Sequence, residues 1–468
     1  MAANQSDDQV SLAVFVDKEK SKVVYAEAGK DFVDVLLSFL TLPLGTIARL
    51  VAKESNIEAV QFGSISSLYQ SISDLGEEYL WNKTCKEMLL QPRNSMEAYC
   101  QKMKLNIDET ESLSFFFCED DNCKRENGCN VSTFRDQKGI CGKLLNIMRQ
   151  PKTSDENGFV NETSTFIISY DLFVMPNLFE TRLNLLQKLG VTDFDTIDKK
   201  TVNISKKEVH FLIFVIFLFI VVIDLLKLSL ISKTPLTDFI FKKEKFILNF
   251  DTPNLSEFLI GEAEDSSINM VVKVVRRKSN IQILFVEAQE DFADFVFSFL
   301  TFPLGGVLHM LKGHSSISCI ENLYKSMTEL CPDRYLRSQY VKDRLSSPCI
   351  GLQFEIRNQI LPIGAEPFSH LFNFVDPKSP IYGGYARGPT SFMVTDDLVV
   401  SPMSSISGLA YLERMKVPLN DVEECFIRIG RMECLSILKA SLISTSALTN
   451  GLSLCILHQM FREYYNIT

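Results

Sequence analysis

Apolar and polar positions alternate in distinct ways along the chain. SLAVFVD and KVVYAEA are two apolar runs around the polar segment DKEKSK, a pattern that predicts a β-hairpin. A helix should begin at Asp31, because apolar residues then recur at helical spacing from Phe32 to Leu40. Its apolar face is so wide that the helix must be largely buried. Pro43 should end this helix, and a second helix should follow.

The same pattern recurs in the second half of the chain. Val23–Leu50 and Ile283–Met310 align without a gap, with 12 identities in 28 positions. Two further pairs of segments match: Thr163–Pro176 with Pro389–Pro402, and Leu225–Asp238 with Ile437–Asn450. A repeat of this length predicts two tandem structural units.

The repeat divides the chain into five predicted parts. They are a disordered N-terminus (1–9), a first unit (10–248), an acidic linker (249–267), a second unit (268–460) and a C-terminal tail (461–468). Each unit should start with a hairpin and a buried helix and end with a strand followed by helices. Because strands and helices are mixed without a regular βαβ rhythm, the pattern predicts an α+β fold.

Three segments carry a resemblance to a known family. AEAGKDFVDVLLSFLTLPLGTIARL, the LYQSI segment that begins at Leu68, and SLISKTPLTD resemble plant proteins of the domain of unknown function 674 family. The resemblance covers nearly the whole chain, and two tandem units are typical of that family. It implies a plant protein but no activity, substrate or catalytic residue, since none is established for the family.

Composition narrows the functional classes. The chain has 46% apolar and 23% charged residues, as globular proteins do. Its net charge of −10 argues against a nucleic-acid backbone as partner. The polar start MAANQSDDQV has no apolar signal region, so we expect a cytoplasmic or nuclear protein. In such a protein the 12 cysteines should be free thiols or metal ligands.

Four cysteines form a candidate metal site within 24 residues: Cys118, Cys123, Cys129 and Cys141. Structural zinc takes four such ligands, usually as two close pairs. Here four, five and eleven residues separate successive cysteines, so only the first pair has suitable spacing. The second unit has no such cluster. The sequence therefore allows two interpretations of these cysteines. They bind structural zinc, the one cofactor that the sequence suggests, or they are unliganded thiols in a loop.

A set of three acidic residues occurs in both units: Glu27, Asp31 and Asp34, and again Glu287, Asp291 and Asp294. Carboxylates one helical turn apart can hold a divalent cation. The simpler interpretation is that Asp31 or its neighbour caps the helix, and that Asp34 lies where the helix dipole favours negative charge. The glycine-rich YGGYARGP (Tyr382–Pro389) lacks the lysine of a phosphate loop and predicts a flexible turn.

The longest apolar run, Phe211–Ile223, has no counterpart in the second unit. Its 13 residues are all apolar, and the alignment predicts an insertion into the last helix of the first unit. Such a helix should keep Leu225, Leu226 and Leu230 on the core of that unit. Because the codons of these apolar residues share a middle uracil, a retained intron fragment is one hypothesis for its origin.

A membrane span is the alternative for this run. Thirteen helical residues reach only about 20 Å, short of a hydrocarbon core of about 30 Å. Extension to Ile231 gives enough length but includes Asp224 and Lys227. The summed insertion energy still permits a single pass through 210–231. A span would, however, place the two units on opposite sides of a membrane.

No catalytic signature accompanies these features. The chain has no nucleophile elbow, no P-loop and no HExxH motif. We therefore expect a non-enzymatic interaction or scaffold protein with protein partners. An enzyme or small-ligand binder with a site between the two units is the alternative. A pocket with convergent polar groups would favour the alternative, and a large exposed apolar patch would favour the first class.

Overall fold

The computed structural model describes residues 9–53, 55, 57–108, 113–119, 129–149, 157–205, 220–241, 269–367, 372–381, 383–404 and 406–466. Four predicted features fall wholly or mostly outside these residues. They are the N-terminal segment 1–9, the linker 249–267, Cys123, and the part of the apolar run that precedes residue 220.

The first half of the chain supplies nine strands among the described residues. They are β1 Gln9–Asp17, β2 Lys22–Gly29, β3 Phe115–Cys118, β4 Cys129–Ser132, β5 Leu145–Arg149, β6 Thr165–Ser169, β7 Val174–Pro176, β8 Ile197–Ser205 and β9 Ile220–Val221. Its helices are α1 Lys30–Thr41, α2 Leu44–Val51, α3 Gly63–Asp74, α4 Lys83–Leu90, α5 Glu97–Cys100, α6 Phe179–Lys188, α7 Val222–Ile231 and α8 Pro235–Phe241.

The second half begins with the same succession of elements. Its strands are β10 Met270–Arg277, β11 Ile283–Ala288, β12 Phe372–Phe374, β13 Phe392–Thr395, β14 Val400–Pro402 and β15 Val422–Ile429. Its helices are α9 Glu290–Ser298, α10 Leu304–Met310, α11 Ser318–Glu329, α12 Pro332–Tyr335, α13 Gln339–Ser346, α14 Ser407–Arg414, α15 Arg431–Ile443 and α16 Ala447–Asn466. Helix α16 therefore continues past residue 460, where the predicted second unit ends.

The fold is α+β, as predicted, and each half has its own sheet, in which all neighbouring strands are antiparallel except β8 and β9. The strand order is β7-β6-β2-β1-β8-β9 in the first half and β14-β13-β11-β10-β15 in the second. The hairpins share their register, since Ala13 lies opposite Glu27 and Lys273 lies opposite Glu287. These matches agree with a tandem repeat, whose common ancestry stays a prediction.

The predicted buried helix is present in both halves. Helix α1 buries every residue except Asp31, and α9 buries all residues from Phe292 onward. Each helix follows directly on the second strand of its hairpin and covers the inner face of its sheet. Buried apolar residues from both halves form one continuous core, so the interface between the halves is itself part of that core.

The LPLG and FPLG segments explain why the two halves approach so closely. The backbone N–H of Leu44 donates to the carbonyl oxygen of Phe302, and that of Leu304 donates to Leu42, both at 2.9 Å. A Cβ atom on Gly305 would lie 2.9 Å from the backbone oxygen of Leu40. Glycine is therefore required where one helix meets the backbone of the other half.

A third sheet joins the two halves directly. Its order is β12-β4-β3-β5, and β12 of the second half pairs in parallel with β4 of the first. Phe372 lies opposite Cys129, and its ring packs edge-on against Phe117. The predicted boundary between the units is thus crossed by a strand pairing.

The end of the apolar run differs from the prediction. Ile220 and Val221 form strand β9, which pairs in parallel with β8, and α7 begins only at Val222. The predicted helical extension is therefore wrong for these two residues. Leu225 and Leu226 are fully buried in the core as predicted, and Leu230 is partly buried against it. Within the part of the chain that the structure describes, no helix combines the length and apolar character needed to span a bilayer.

Candidate functional site

A buried carboxylate lies at the same position of the long helix in each half. On α1, Asp34 is 1% exposed, and its Oδ1 accepts hydrogen bonds from the backbone N–H groups of Phe159 (2.7 Å) and Val160 (3.0 Å). Val160 then pairs with Leu336 of the second half. Asp34 therefore orients a loop that contacts the opposite half.

Asp294 on α9 does the same in the second half. Its Oδ1 accepts hydrogen bonds from the backbone N–H groups of Tyr385 (2.7 Å) and Ala386 (2.8 Å). Ala386 pairs with Leu80 of the first half. The glycine before each anchored pair is needed for space, since a Cβ on Gly384 would lie 1.7 Å from Asp294 Oδ2.

These contacts correct the prediction that the aspartates serve the helix termini. The N-caps of α1 and α9 are Gly29 and Gln289, and neither makes a side-chain cap. Asp31 instead forms an ion pair with Lys104 at 2.6 Å. Sequence reasoning missed the loop-anchoring role of Asp34, whose one signal was its recurrence at the same helix position as Asp294.

The two sites differ in the residue one turn before the aspartate. Lys30 Nζ donates to Asp34 Oδ2 (2.5 Å) and to the backbone oxygen of Asn157 (2.9 Å). In the second half the aligned residue is Glu290, an acid instead of a base. The buried ion pair of the first half is therefore replaced by two carboxyl groups of like charge.

The pKa values of the two carboxyls reflect this difference. Burial raises the pKa of Asp34 to about 6, while the charge of Lys30 acts to lower it. Burial raises the pKa of Asp294 to about 7; the N–H groups of Ala386 and Tyr385 act to lower it, and the charge of Glu290 adds to the rise. Asp294 therefore titrates near neutral pH.

A cavity of about 330 Å³ opens beside Asp294. Its described lining residues come from α9, the start of β10 and the loops around them: Asn269, Met270, Gln289, Glu290, Asp291, Asp294, Ile356, Arg357, Asn358, Ile360, Ile381, Gly383 and Gly384. All of them belong to the second half, so this pocket does not lie between the two units as the sequence alternative supposed. Among the described residues, its charged lining comprises three carboxyl groups and one guanidinium.

A second cavity, of about 420 Å³, lies between α14 and the outer face of the second sheet. We call it the α14 groove. It is lined by Lys273, Val275, Phe285, Glu287, Ser391, Met403, Ser404, Gly408, Leu409, Leu412, Val422 and Glu424. Its walls are apolar along the helix, and the charged side chains lie on the strands.

The two halves differ at the α14 groove as well. Gly408 faces Phe285, whose ring would lie 3.3 Å from a Cβ at that position. The aligned residue on α6 is Arg182, which forms an ion pair with Glu27 at 3.4 Å. A long side chain thus covers the outer sheet face in the first half, whereas a glycine leaves it open in the second.

The sequence of the chain matches the model of one protein family. The model of the family described as "Protein of unknown function (DUF674)" matches residues 6–432. The chain belongs to the DUF674 family. No curated protein and no solved structure matches it.

In this DUF674 protein the structure brings together two of the four candidate zinc ligands. The sulfur atoms of Cys118 and Cys141 lie 3.6 Å apart, with Cys118 buried at the end of β3. Cys129 lies on β4, and Cys123 is outside the described residues. Among described residues, no three His, Cys, Asp or Glu side chains are arranged to hold a metal. Zinc binding that involves Cys123 stays a prediction.

The described part of the glycine-rich segment is irregular, but Gly384, Tyr385 and Ala386 at its centre are buried, so the prediction of a flexible turn is not confirmed. Tyr385 is fully buried, and its hydroxyl donates to the backbone oxygen of Phe354 at 3.1 Å. The backbone N–H of Trp81 donates to the Tyr385 carbonyl at 2.8 Å. The segment therefore belongs to the contact between the halves, where Asp294 orients it.

Proposed function

We propose that this DUF674 protein is a non-enzymatic interaction protein that binds a partner peptide in the α14 groove. The observation that carries the proposal is the replacement of the covering Arg182 by Gly408 at the aligned position. A surface that one half covers and the other leaves open is a candidate for recognition. The occupant we propose is a short peptide with an apolar anchor and a basic residue.

The apolar anchor follows from the surface around the groove. Leu409, beside Gly408 on α14, is 60% exposed, and Ile406 just before the helix is 71% exposed. Phe426 (67% exposed) lies opposite Lys273 on the same sheet face, and Val271 (63%) lies two residues along the same strand. Exposed apolar residues on both the helix and the strands beside the groove support an apolar anchor in the partner.

The basic residue follows from the charges on the strands. Lys273 Nζ lies 3.4 Å from Glu287 and 3.0 Å from Glu424, so one cation is shared between two carboxylates. The groove therefore keeps a negative excess, in keeping with the net charge of −10 for the chain. A basic side chain of the partner would complement that excess.

The test uses one substitution that fills the groove and a matched control. Gly408→Arg places the first-half side chain in the groove, whereas Ala410→Arg adds the same charge on an exposed part of the same helix. Partners cross-linked to the full chain are identified, prepared in pure form and titrated against each variant. We expect Gly408→Arg to weaken binding at least about 10-fold and Ala410→Arg to leave it unchanged.

Two results would contradict the proposal. One is equal binding of the pure partners by the Gly408→Arg variant and the unmodified chain. The other is reproducible turnover of a metabolite by the pure protein, lost on substitution of a residue that lines a pocket. A second binding role is favoured by the cavity beside Asp294, because its polar groups converge on one carboxyl group.

A further inference from the structure

We propose that the cavity beside Asp294 binds a small organic molecule with a primary ammonium group on a short aliphatic chain. This site is distinct from the α14 groove and does not depend on the function proposed for it. The argument starts from the first half, where the equivalent position is filled by an ammonium group that the chain itself supplies.

The first half shows how the ammonium is held. Lys30 Nζ contacts Asp34 Oδ2 at 2.5 Å and the backbone oxygen of Asn157 at 2.9 Å. The Lys30 side chain is 6% exposed and that of Asp34 is 1% exposed. A carboxylate oxygen and a backbone carbonyl thus form a buried subsite for a cation that donates hydrogen bonds.

The second half keeps the acceptors of this subsite and loses the lysine. Asp294 is 6% exposed, and within the described residues its Oδ2 makes no hydrogen bond. The carbonyl of Gly383 aligns with that of Asn157 and accepts one hydrogen bond, from the backbone N–H of Arg357 at 3.2 Å. A carbonyl oxygen has a second lone pair, so it can still accept from a ligand. Glu290 adds a further carboxyl group where Lys30 stands in the first half.

The charged residues that line the cavity favour a positively charged ligand. Glu290, Asp291 and Asp294 line the cavity, and Arg357 is the one base among its described lining residues. Arg357 Nη1 donates to the backbone oxygen of Ile381 at 2.7 Å, and its single positive charge offsets only one of the three carboxyl groups. An anion would face three carboxyl groups, whereas an ammonium would relieve the repulsion between Glu290 and Asp294.

A second nearby base is also committed to other partners. Lys378 Nζ is buried and donates to the backbone oxygen of Gln353 (2.6 Å) and to Asp376 (2.9 Å). The charge of Lys378 acts to lower the pKa of Asp294, but among the described residues no hydrogen bond or ion pair joins the two side chains. The positive charge that Lys30 gives to Asp34 therefore has no equivalent contact at Asp294 among the described residues.

The size and lining of the cavity define the rest of the ligand. A volume of about 330 Å³ is near the lower end for small-molecule sites. Four apolar side chains accompany the polar groups: Met270, Ile356, Ile360 and Ile381. They suit a chain of a few methylene groups, as the lysine stem does in the first half. A carboxylate and a carbonyl both require N–H donors, which favours a primary over a quaternary amine.

The experiment is calorimetric titration of the full chain with n-butylamine and 1,4-diaminobutane. Tetramethylammonium, which has no N–H group, and n-butanol, which has no charge, are the comparison ligands. We expect saturable binding of the two primary amines, and at least about 10-fold weaker binding of both comparison ligands.

Variants then test the site. Glu290→Lys restores the ammonium found in the first half and should weaken amine binding at least about 10-fold, or about 1.4 kcal/mol, by occupying the subsite. Glu355→Lys makes the same charge change at an exposed position that does not line the cavity, and should bind as the unmodified chain does. Asp294→Asn keeps an oxygen for the Tyr385 and Ala386 N–H groups but should also lose binding.

Amine affinity should also rise with pH through about 7, because Asp294 must be ionised to bind the ammonium. The charged or titratable groups around it are Glu290, Asp291, Arg357, Asp376, Lys378, Cys85 and Tyr385. Burial raises the pKa of Cys85 to about 12 and that of Tyr385 well above its usual value, so both are neutral in this range.

Three outcomes would overturn the proposal. They are the absence of saturable binding by both amines, equal binding of tetramethylammonium and n-butylamine, and equal binding by the Glu290→Lys variant and the unmodified chain. The Glu290→Lys variant is expected to fold, because the first half has the same lysine–aspartate pair on its helix. An unfolding midpoint at or above that of the unmodified chain would verify this directly.

Discussion

The buried pair of Lys30 and Asp34 offers a sharp test of how the two halves are held together. Lys30→Met keeps an unbranched apolar stem and removes the ammonium group. Asp34 then loses its 2.5 Å contact but keeps the two N–H donors, Phe159 and Val160. In this variant Asp34 is a buried carboxyl group without a lysine partner, as Asp294 is in the second half.

The size of the effect follows from burial. Removal of one partner from a buried ion pair costs about 3–5 kcal/mol. We expect the lower end, about 3 kcal/mol at pH 8, because the Oδ1 contacts of Asp34 are retained and its carboxyl can take up a proton. The pKa of Asp34 should rise above its present value of about 6, since both the charge and the hydrogen bond of Lys30 act to lower it.

The pH dependence has a definite sign. The pKa of Asp34 is raised on folding from 3.8 to about 6. Its protonation therefore adds stability that is complete below about pH 4 and is lost as pH rises through 6. In the Lys30→Met variant the pKa of Asp34 is higher, so the unfolding free energy continues to fall at higher pH than in the unmodified chain. The difference in unfolding free energy between the two proteins should thus be small at pH 5 and largest at pH 8.

The assay is urea unfolding at pH 5 and pH 8, followed by the fluorescence of Trp81. This is the single tryptophan of the chain, and its backbone N–H donates to Tyr385 at the contact between the halves. A Lys30→Met/Asp34→Asn double variant should recover most of the loss, because asparagine Oδ1 still accepts from the same N–H groups. The reasoning is refuted if the Lys30→Met loss is equal at the two pH values, or if the double variant recovers nothing.

Two further predictions concern the cysteine segment and the apolar run Phe211–Ile223. If the cysteine segment holds structural zinc, metal analysis should find about one zinc per chain. Cys118→Ser should remove this zinc, whereas Cys331→Ser, at an exposed cysteine elsewhere, should retain it. Native protein without zinc would exclude the site. Deletion of Phe211–Ile223 should leave a soluble, folded protein, since the alignment places Val209 where Val222 is now buried. Measurement of solubility and the unfolding midpoint tests this, and a deletion that releases the protein from a membrane would contradict it.

The α+β class, the hairpins and the buried helices could be predicted from sequence because each depends on local periodicity. Apolar residues at helical spacing from Phe32 onward predict α1 whatever lies next to it. The recurrence of the same segment at Ile283–Met310 likewise indicates a second helix of the same kind. These patterns repeat within a few residues, so no knowledge of distant contacts is needed to interpret them.

The role of Asp34 could not be predicted in this way. Its hydrogen-bond partner Phe159 lies 125 residues further along the chain, and Tyr385 lies 91 residues beyond Asp294. A carboxylate in an amphipathic helix is compatible with a cap, a cation site or a buried anchor, and local propensity does not distinguish them. Only the packing of the loop against the helix decides which donors reach the carboxyl group.

The candidate sites arise at the same long-range level. By itself, the sequence determined that Lys30 aligns with Glu290, that Arg182 aligns with Gly408, and which elements carry these residues. Tertiary structure decided that Lys30 contacts a buried carboxyl group and that Glu290 lines a cavity. It also decided that Gly408 borders an open face of the second sheet. The physical reason is that burial and partner choice depend on which surfaces meet after folding, whereas helix and strand formation depends mainly on neighbours along the chain.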